Sequence, residues 1–304
     1  MAWSFCSWRP TRPQSLANVM PALKYATQVY CNFSLTYLTK NVDRVLLGKF
    51  HGSEILGNYD RAYHLSSMPA NRLLTPLHSI ALATLSRLRN DKTRFVNYFT
   101  KALSMVAFLG TLMAVLLTLS ANDLILLLLG PEWTEAGHIV MALGPGIAAL
   151  LLYGTHSWLH LSLGMPTRWL HWNIFASILT VIAFLIAAPF GAVALAMTYS
   201  GKTLVLIIPA LWYAGRPIQI SVRKLLISIW PYFVSAGLVC MVWLFAPLSL
   251  CPILTYLKGM PPLLRVIVTS ITASFLYMFL IVVFQRGFSS IREALSLVKL
   301  VFSR

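Results

Sequence analysis

Five stretches of this chain contain no Asp, Glu, Lys or Arg, and each is long enough to cross about 30 Å of hydrocarbon as a helix. They are residues 102–119, 136–163, 169–188, 225–246 and 266–284, and a sixth stretch, 191–213, is interrupted only by Lys202. The whole chain is 58% hydrophobic and only 11% charged, whereas soluble domains average about 25% charged residues. The sequence therefore predicts an all-α integral membrane protein.

Two more polar segments, Pro21 to about Gly48 and Ser53 to about Leu88, bring the predicted number of transmembrane helices to about eight. With this count, fourteen basic residues fall on one side of the membrane, and only Lys258 and Arg265, with Lys49 at a span boundary, fall on the other. Basic loops favour the cytoplasmic side, so we expect both termini in the cytoplasm. The fourteen residues are Arg9, Arg12, Arg87, Arg89, Lys92, Arg94, Arg168, Arg216, Arg223, Lys224, Arg286, Arg292, Lys299 and Arg304.

Arg61 and Arg72 lie inside the second polar segment and are eleven residues apart. Eleven residues are three helical turns plus about 20°, so both side chains should project from one face. An arginine at mid-membrane costs roughly 2.5–3.5 kcal/mol on insertion scales, so two on one face need a reason. A guanidinium group binds phosphate through two hydrogen bonds, and we therefore expect a cationic cavity that receives an anionic substrate.

Other polar residues in the spans extend this candidate site. The candidates for substrate binding are Lys40, Arg44, Arg61, Arg72 and Lys202, and the polar or coupling candidates are Asn41, Asp43, Asp60, His64 and Asn71. Asp43 or Asp60 could hold a coupling cation or proton, or only neutralise an arginine. Alternatively, these charges mark helix ends near the membrane surface. Lys202 could line a cavity or be a paired or snorkelling structural lysine.

No pattern in the chain indicates an enzyme, a metal or a cofactor. His156, His160 and His171 lie beside tryptophans without accompanying carboxylates or cysteines, which favours interfacial anchoring over metal binding. HExxH, GxSxG and P-loop motifs are absent from the sequence. The formal net charge of +16 is distributed over short loops between apolar spans, so we expect no nucleic-acid partner.

Several segments, in order along the chain, carry a family resemblance. Residues 41–50 (NVDRVLLGKF) and 52–63 (GSEILGNYDRAY) are the most specific, and 85–88 (LSRL), 129–133 (LGPEW) and 163–168 (LGMPTR) follow. From about residue 8 to at least residue 215, the chain resembles flippases of polysaccharides or lipid-linked oligosaccharides in the MOP exporter superfamily. The likeness is to the branch that transports O-antigen, capsule or exopolysaccharide repeat units.

The resemblance implies a specific organisation. It implies a cytoplasmic linker at 1–20, a six-helix lobe at 21–215, two additional transmembrane helices at 216–287 and an amphipathic cytoplasmic tail at 288–304. Relatives of this kind have two lobes, so we expect this chain to correspond to the C-terminal lobe, with the N-terminal lobe absent or supplied by another chain. The implied activity is alternating access that moves undecaprenyl-pyrophosphate-linked glycan across the bacterial inner membrane, with membrane lipid as the other partner.

Three alternatives remain at this point. The first is a cation-coupled multidrug or metabolite exporter of the MATE type, which needs acidic residues in a membrane cavity. The second is a glycan polymerase or ligase, which typically carries a long periplasmic loop that this sequence lacks. The third is a nonfunctional truncated gene product.

Overall fold

A computed structural model describes residues 19–245 and 259–285. These residues form eight α-helices, three short 3₁₀ turns and no strand, which confirms the all-α prediction. The helices are α1 (Met20–Arg87), α2 (Lys92–Leu128), α3 (Thr134–Gly154), α4 (His156–Ser162), α5 (Pro166–Ala187), α6 (Ala192–Gly215), α7 (Val222–Phe245) and α8 (Pro262–Gln285).

The first helix is a hairpin of two antiparallel arms, residues 20–51 and 53–87. Its backbone reverses at Gly52, whose φ of 80° and ψ of −174° lie outside the helical region. The hydroxyl of Tyr59 donates a hydrogen bond of 2.7 Å to Oδ2 of Asp43, although sixteen residues separate the two. In a straight helix these residues would be about 24 Å apart. The arms correspond to the two polar spans that the sequence predicts.

Six further helical segments are long and apolar enough to cross a membrane among the residues described. Each of them covers all or most of one predicted apolar stretch, and α3 and α4 together form one of them. Helix α2 continues past the predicted stretch at 102–119 to Leu128, and the following turn is short. The two arms of α1 are not among these six segments, so the predicted total of about eight transmembrane helices stays a prediction.

The turns alternate between two ends of the helix bundle. At one end, Lys92 donates a hydrogen bond to Gln219 at 3.0 Å, and Lys224 donates to Asn97 at 3.3 Å. Arg168 belongs to the same end, since its guanidinium reaches the carbonyl of residue 213 at 2.9 Å. The described basic turns therefore gather at one end, as the charge pattern requires. That this end faces the cytoplasm stays a prediction.

The opposite end is marked by two other contacts. The imidazole Nε2 of His51 lies 2.7 Å from the carbonyl oxygen of Ala188, so the α1 reversal meets the turn between α5 and α6. Arg265 at the start of α8 pairs with Asp123 near the end of α2 at 3.3 Å.

Helices α2, α3 and α6 pack closely, and α7 and α8 pack on α2. Small residues allow the close packing: a Cβ added at Gly146 of α3 would lie 3.0 Å from the Cα of Ser200 in α6. Ser104 of α2 forms a hydrogen bond with Ser228 of α7, and the hydroxyls of Thr111 and Tyr277 join α2 to α8 at 2.6 Å.

The division at residue 215 between a lobe and two additional helices stays a prediction. The predicted amphipathic tail lies outside the described residues.

Candidate functional site

The second arm of α1 has one buried face and one exposed polar face. Ala62, Ser66 and Ala70 are buried against the bundle. The residues on the opposite side are exposed, and we call this set the exposed polar stripe: Asp60, Arg61, His64, Asn71, Arg72 and Thr75. Positions 61, 64, 71, 72 and 75 follow helical spacing, so they lie along one side of the arm.

The two arginines of the exposed polar stripe are free to bind a ligand. Neither Arg61 nor Arg72 has a hydrogen-bond or ion-pair partner among the residues described. Arg61 is nine residues past the reversal at Gly52, about 13 Å along the arm, and Arg72 is farther still. The two arginines therefore do not lie at a helix end. Their position does not favour the alternative in which the Asp60–Arg61 pair marks the end of a helix.

Asp43 and Arg44 lie where the two arms of α1 face each other. The carboxylate of Asp43 is only 2% exposed and accepts hydrogen bonds from the Tyr59 hydroxyl at 2.7 Å and the backbone N–H of Arg44 at 2.8 Å. Arg44 forms an ion pair with Asp60 and donates to Asn41 at 3.0 Å. Arg44 is thus held by protein groups, unlike Arg61 and Arg72.

A separate cavity of about 110 Å³ lies inside the bundle, between the first arm of α1 and helices α3, α5 and α6. We call it the lobe cavity. Lys202 of α6 lines it, donates a hydrogen bond to the Thr180 hydroxyl at 3.0 Å, and lies over the rings of Phe184 and Tyr199 at 5.1 and 5.3 Å. The lining residues are Thr36, Thr39, Lys40, Leu150, Tyr153, Asn173, Ala176, Ser177, Thr180, Tyr199, Lys202, Thr203 and Leu206.

The predicted candidates thus divide among three places, one of which is the contact between the two arms of α1 with Asn41, Asp43 and Arg44. Arg61, His64, Asn71 and Arg72 lie on the exposed polar stripe, with Asp60 at its edge beside Arg44. Lys40 and Lys202 line the lobe cavity instead. The structure does not bring these two lysines together with the arginines of the stripe.

Several neutral polar residues of the cavity region are absent from the sequence-based candidates. Asn173 of α5 donates a buried hydrogen bond of 2.7 Å to Asn32 of α1, and Thr39 of α1 donates one of 2.9 Å to Ser177 of α5. Asn173, Ser177 and Thr180 are spaced four and three residues apart, which is one face of a helix. This spacing was the signal that could have found them.

The histidines require a correction. His156 and His160 are 4% and 1% exposed and pack among aromatic rings, so they are not interfacial anchors. His171 is exposed. Another histidine, His78, accepts a 2.8 Å hydrogen bond at Nδ1 from the indole of Trp158, which joins the second arm of α1 to α4. Within the described ranges, no group of three or more His, Cys, Asp or Glu could hold a metal ion.

Comparisons with known proteins agree with the resemblance noted in the sequence. Residues 1–138 match the family described as "Polysaccharide biosynthesis protein". The chain is 24% identical over 184 residues to the amylovoran biosynthesis protein AmsL of Erwinia amylovora, covering 58% of this chain and 45% of that protein. It is 23% identical over 128 residues to the lipopolysaccharide biosynthesis protein WzxC of Escherichia coli K12, covering 42% and 26%.

The chain spans less than half the length of these curated relatives. No solved structure matches it. The family match, the two relatives and the apolar helices nevertheless agree on one class of protein. The match over residues 1–138 and the two relatives support a polysaccharide biosynthesis protein of the MOP flippase type.

Proposed function

We propose that this chain contributes one lobe of a transporter that moves a lipid-linked oligosaccharide across the bacterial inner membrane by alternating access. In this proposal the substrate is an undecaprenyl-pyrophosphate-linked repeat unit, the basic end of the bundle is cytoplasmic, and the exposed polar stripe of α1 lines the transport path. A second lobe, in the same polypeptide or in another one, faces the stripe.

The observation that carries this proposal is the exposed polar stripe itself. Asp60, Arg61, His64, Asn71 and Arg72 lie on a helix whose other face packs against membrane-spanning helices. Ionisable residues at membrane depth face a bundle interior or a water-filled cavity, because exposure to lipid is costly. The stripe therefore requires a polar environment on its open side, and a transport cavity supplies one.

The charges of the stripe fit an anionic head group. The guanidinium groups of Arg61 and Arg72 carry no carboxylate partner among the described residues, so their positive charge is available. A planar guanidinium donates two parallel hydrogen bonds to a phosphate oxygen pair, and a low-dielectric surrounding strengthens the attraction. Asn71 and His64 add hydrogen-bonding groups that suit sugar hydroxyls.

The alternative of a cation-coupled drug exporter has less support. Such a mechanism needs a carboxylate that is free to take up a sodium ion or a proton. Asp43 already accepts two hydrogen bonds from protein groups, and Asp60 is paired with Arg44. The remaining acidic residue of the two arms, Glu54, is exposed and lies two residues past the reversal at Gly52.

Cysteine labelling tests the position of the stripe. Arg72→Cys is introduced into a cysteine-free background, which requires removal of the exposed Cys31 among others. We expect rapid labelling of residue 72 by a membrane-impermeant maleimide in membranes. Phe275→Cys is the matched control, because Phe275 is an apolar residue of α8 that is 75% exposed and suited to lipid. Labelling of residue 72 as slow as that of residue 275 would contradict the proposal.

Charge reversal tests the chemistry. In a strain whose surface glycan depends on this chain, we expect Arg61→Glu together with Arg72→Glu to reduce glycan export at least tenfold with normal protein levels. The matched control is Arg61→Lys with Arg72→Lys, which keeps both charges and should retain part of the export. Normal export by the double glutamate variant would remove the stripe from the mechanism.

A further inference from the structure

The lobe cavity carries positive charge that the exposed polar stripe does not use. Two of its lining residues are lysines, Lys40 from α1 and Lys202 from α6, and none of its described lining residues is Asp or Glu. Two ammonium groups on one small cavity repel each other, and the repulsion is stronger inside a protein than in water. The pair therefore favours a negative charge in the cavity.

The nearby carboxylates compensate only part of this charge. Asp60 is paired with Arg44. Asp43 interacts electrostatically with Lys202 from outside the lining, while its oxygens accept hydrogen bonds from Tyr59 and from the Arg44 backbone. The ammonium of Lys40 has no hydrogen-bond or ion-pair partner among the described residues. One uncompensated positive charge thus faces the cavity.

The hydroxyl groups of the cavity do not supply an alternative cation site. Thr180 and Thr203 donate their protons to carbonyls one turn earlier, at 2.7 and 2.6 Å, so their lone pairs remain available. Lys202 already donates to one of these oxygens, that of Thr180. The lysine occupies the place at which a metal cation would meet the hydroxyls, and its charge would repel that cation.

The size of the cavity limits the ligand. Pockets for drug-sized ligands are about 300–1,000 Å³, whereas the lobe cavity is about 110 Å³. A pyrophosphate-linked glycan does not fit, but a single small ion with a few waters does. Lys40, which lines the lobe cavity, is an exposed residue, so a small ion can enter the cavity beside it.

We propose that the lobe cavity binds a small inorganic anion, such as chloride, between the ammonium groups of Lys40 and Lys202. This site is inside the bundle and separate from the exposed polar stripe. The bound anion neutralises the charge of Lys40 and links the first arm of α1 to α6 through the two lysines. The proposal does not depend on what the stripe transports.

The test uses the full 304-residue chain in detergent micelles. Binding of radioactive chloride is measured by equilibrium dialysis in a sodium gluconate background, and thermal stability is measured as chloride replaces gluconate at constant ionic strength. We expect saturable binding and a melting temperature that rises with chloride concentration. Lys40→Gln and Lys202→Gln should each weaken binding about tenfold or more, or about 1.4 kcal/mol, because each removes one charged donor.

Three controls make the result specific. Lys24→Gln removes an exposed lysine of α1 outside the cavity and should leave chloride binding unchanged. Lys202→Arg keeps the charge and should retain binding, which separates loss of the site from misfolding. Arg72→Glu should also leave chloride binding unchanged. A negative result in the chloride test and a negative result in the glycan export test can therefore be told apart.

Two further conditions of the binding experiment define the ligand. Replacing sodium by choline should not change the effect of chloride, and inorganic phosphate should compete with radioactive chloride if it fits the same site. Competition by phosphate supports the anion site, and absence of competition supports its restriction to halide-sized ions. No saturable chloride binding, binding in both glutamine variants as tight as in the unaltered chain, or a requirement for sodium would each overturn the proposal.

Discussion

The reversal of α1 at Gly52 gives a sharp prediction about stability. Its φ of 80° and ψ of −174° belong to a region that is essentially restricted to glycine. A Cβ added there would meet no heavy atom within 4 Å, so Gly52→Ala introduces torsional strain without a clash. Such strain costs about 1–3 kcal/mol. We expect Gly52→Ala to lower the free energy of unfolding by this amount.

Gly57→Ala is the matched control. Gly57 lies in the helical part of the second arm, and a Cβ added there also meets nothing within 4 Å. Alanine is preferred over glycine in a helix by up to about 1 kcal/mol, so this variant should be neutral or more stable. The two variants should differ by about 1–4 kcal/mol in SDS titrations of the detergent-solubilised chain. Equal stabilities would refute a glycine-specific reversal at residue 52.

Three other changes test the packing, each by the same unfolding titration. Asn173→Leu leaves the buried Oδ1 of Asn32 without its donor and should cost about 1–3 kcal/mol; adding Asn32→Leu should restore part of that loss. Gly146→Val places a side chain 3.0 Å from the Cα of Ser200 and should cost about 1–3 kcal/mol by overpacking; no loss would contradict the α3–α6 contact. Asp123→Asn removes a partly exposed ion pair between α2 and α8, and a cost above about 1 kcal/mol would contradict its peripheral role.

The positions of the helices could be predicted well because lipid imposes a length and a composition. The sequence predicts an apolar span at 102–119, and the structure forms a helix from Lys92 to Leu128 around it. The whole of α2 is about 55 Å long, more than the hydrocarbon core, so its polar first turns extend beyond the span or the helix tilts. Hydropathy finds the part within lipid, whereas backbone hydrogen bonding continues the helix past it.

The candidate site could be predicted only in part. Charged residues such as Arg61 and Arg72 stand out in an apolar segment because their cost in lipid is high. Asn32, Asn173 and Ser177 do not stand out, since neutral polar residues cost little in a membrane helix and their partners lie on a distant helix. The sequence also did not show which residues of the two arms of α1 come into contact, because these contacts depend on the backbone torsion angles at Gly52.

The separation of Lys202 from the arginines could not be read from the sequence either. All of these residues are cations in apolar spans, and the sequence grouped them in one cationic cavity. Which side of α6 faces the bundle interior is decided by packing against α3 and α5. The charge of a residue predicts the kind of ligand that it binds, and only the fold shows which residues share that ligand.

The attachment of α7 and α8 to the bundle has a consequence for how the protein tolerates amino-acid substitutions. Both helices attach mainly along α2, through contacts such as that of Thr111 with Tyr277. Their described residues contribute no side chain to the lobe cavity or the exposed polar stripe. The two helices therefore form a separate part of the bundle, packed on α2 away from the lobe cavity and the exposed polar stripe. Sequence drift within them can alter how the protein meets its lipid neighbours or further subunits while the chemistry of the interior is inherited unchanged.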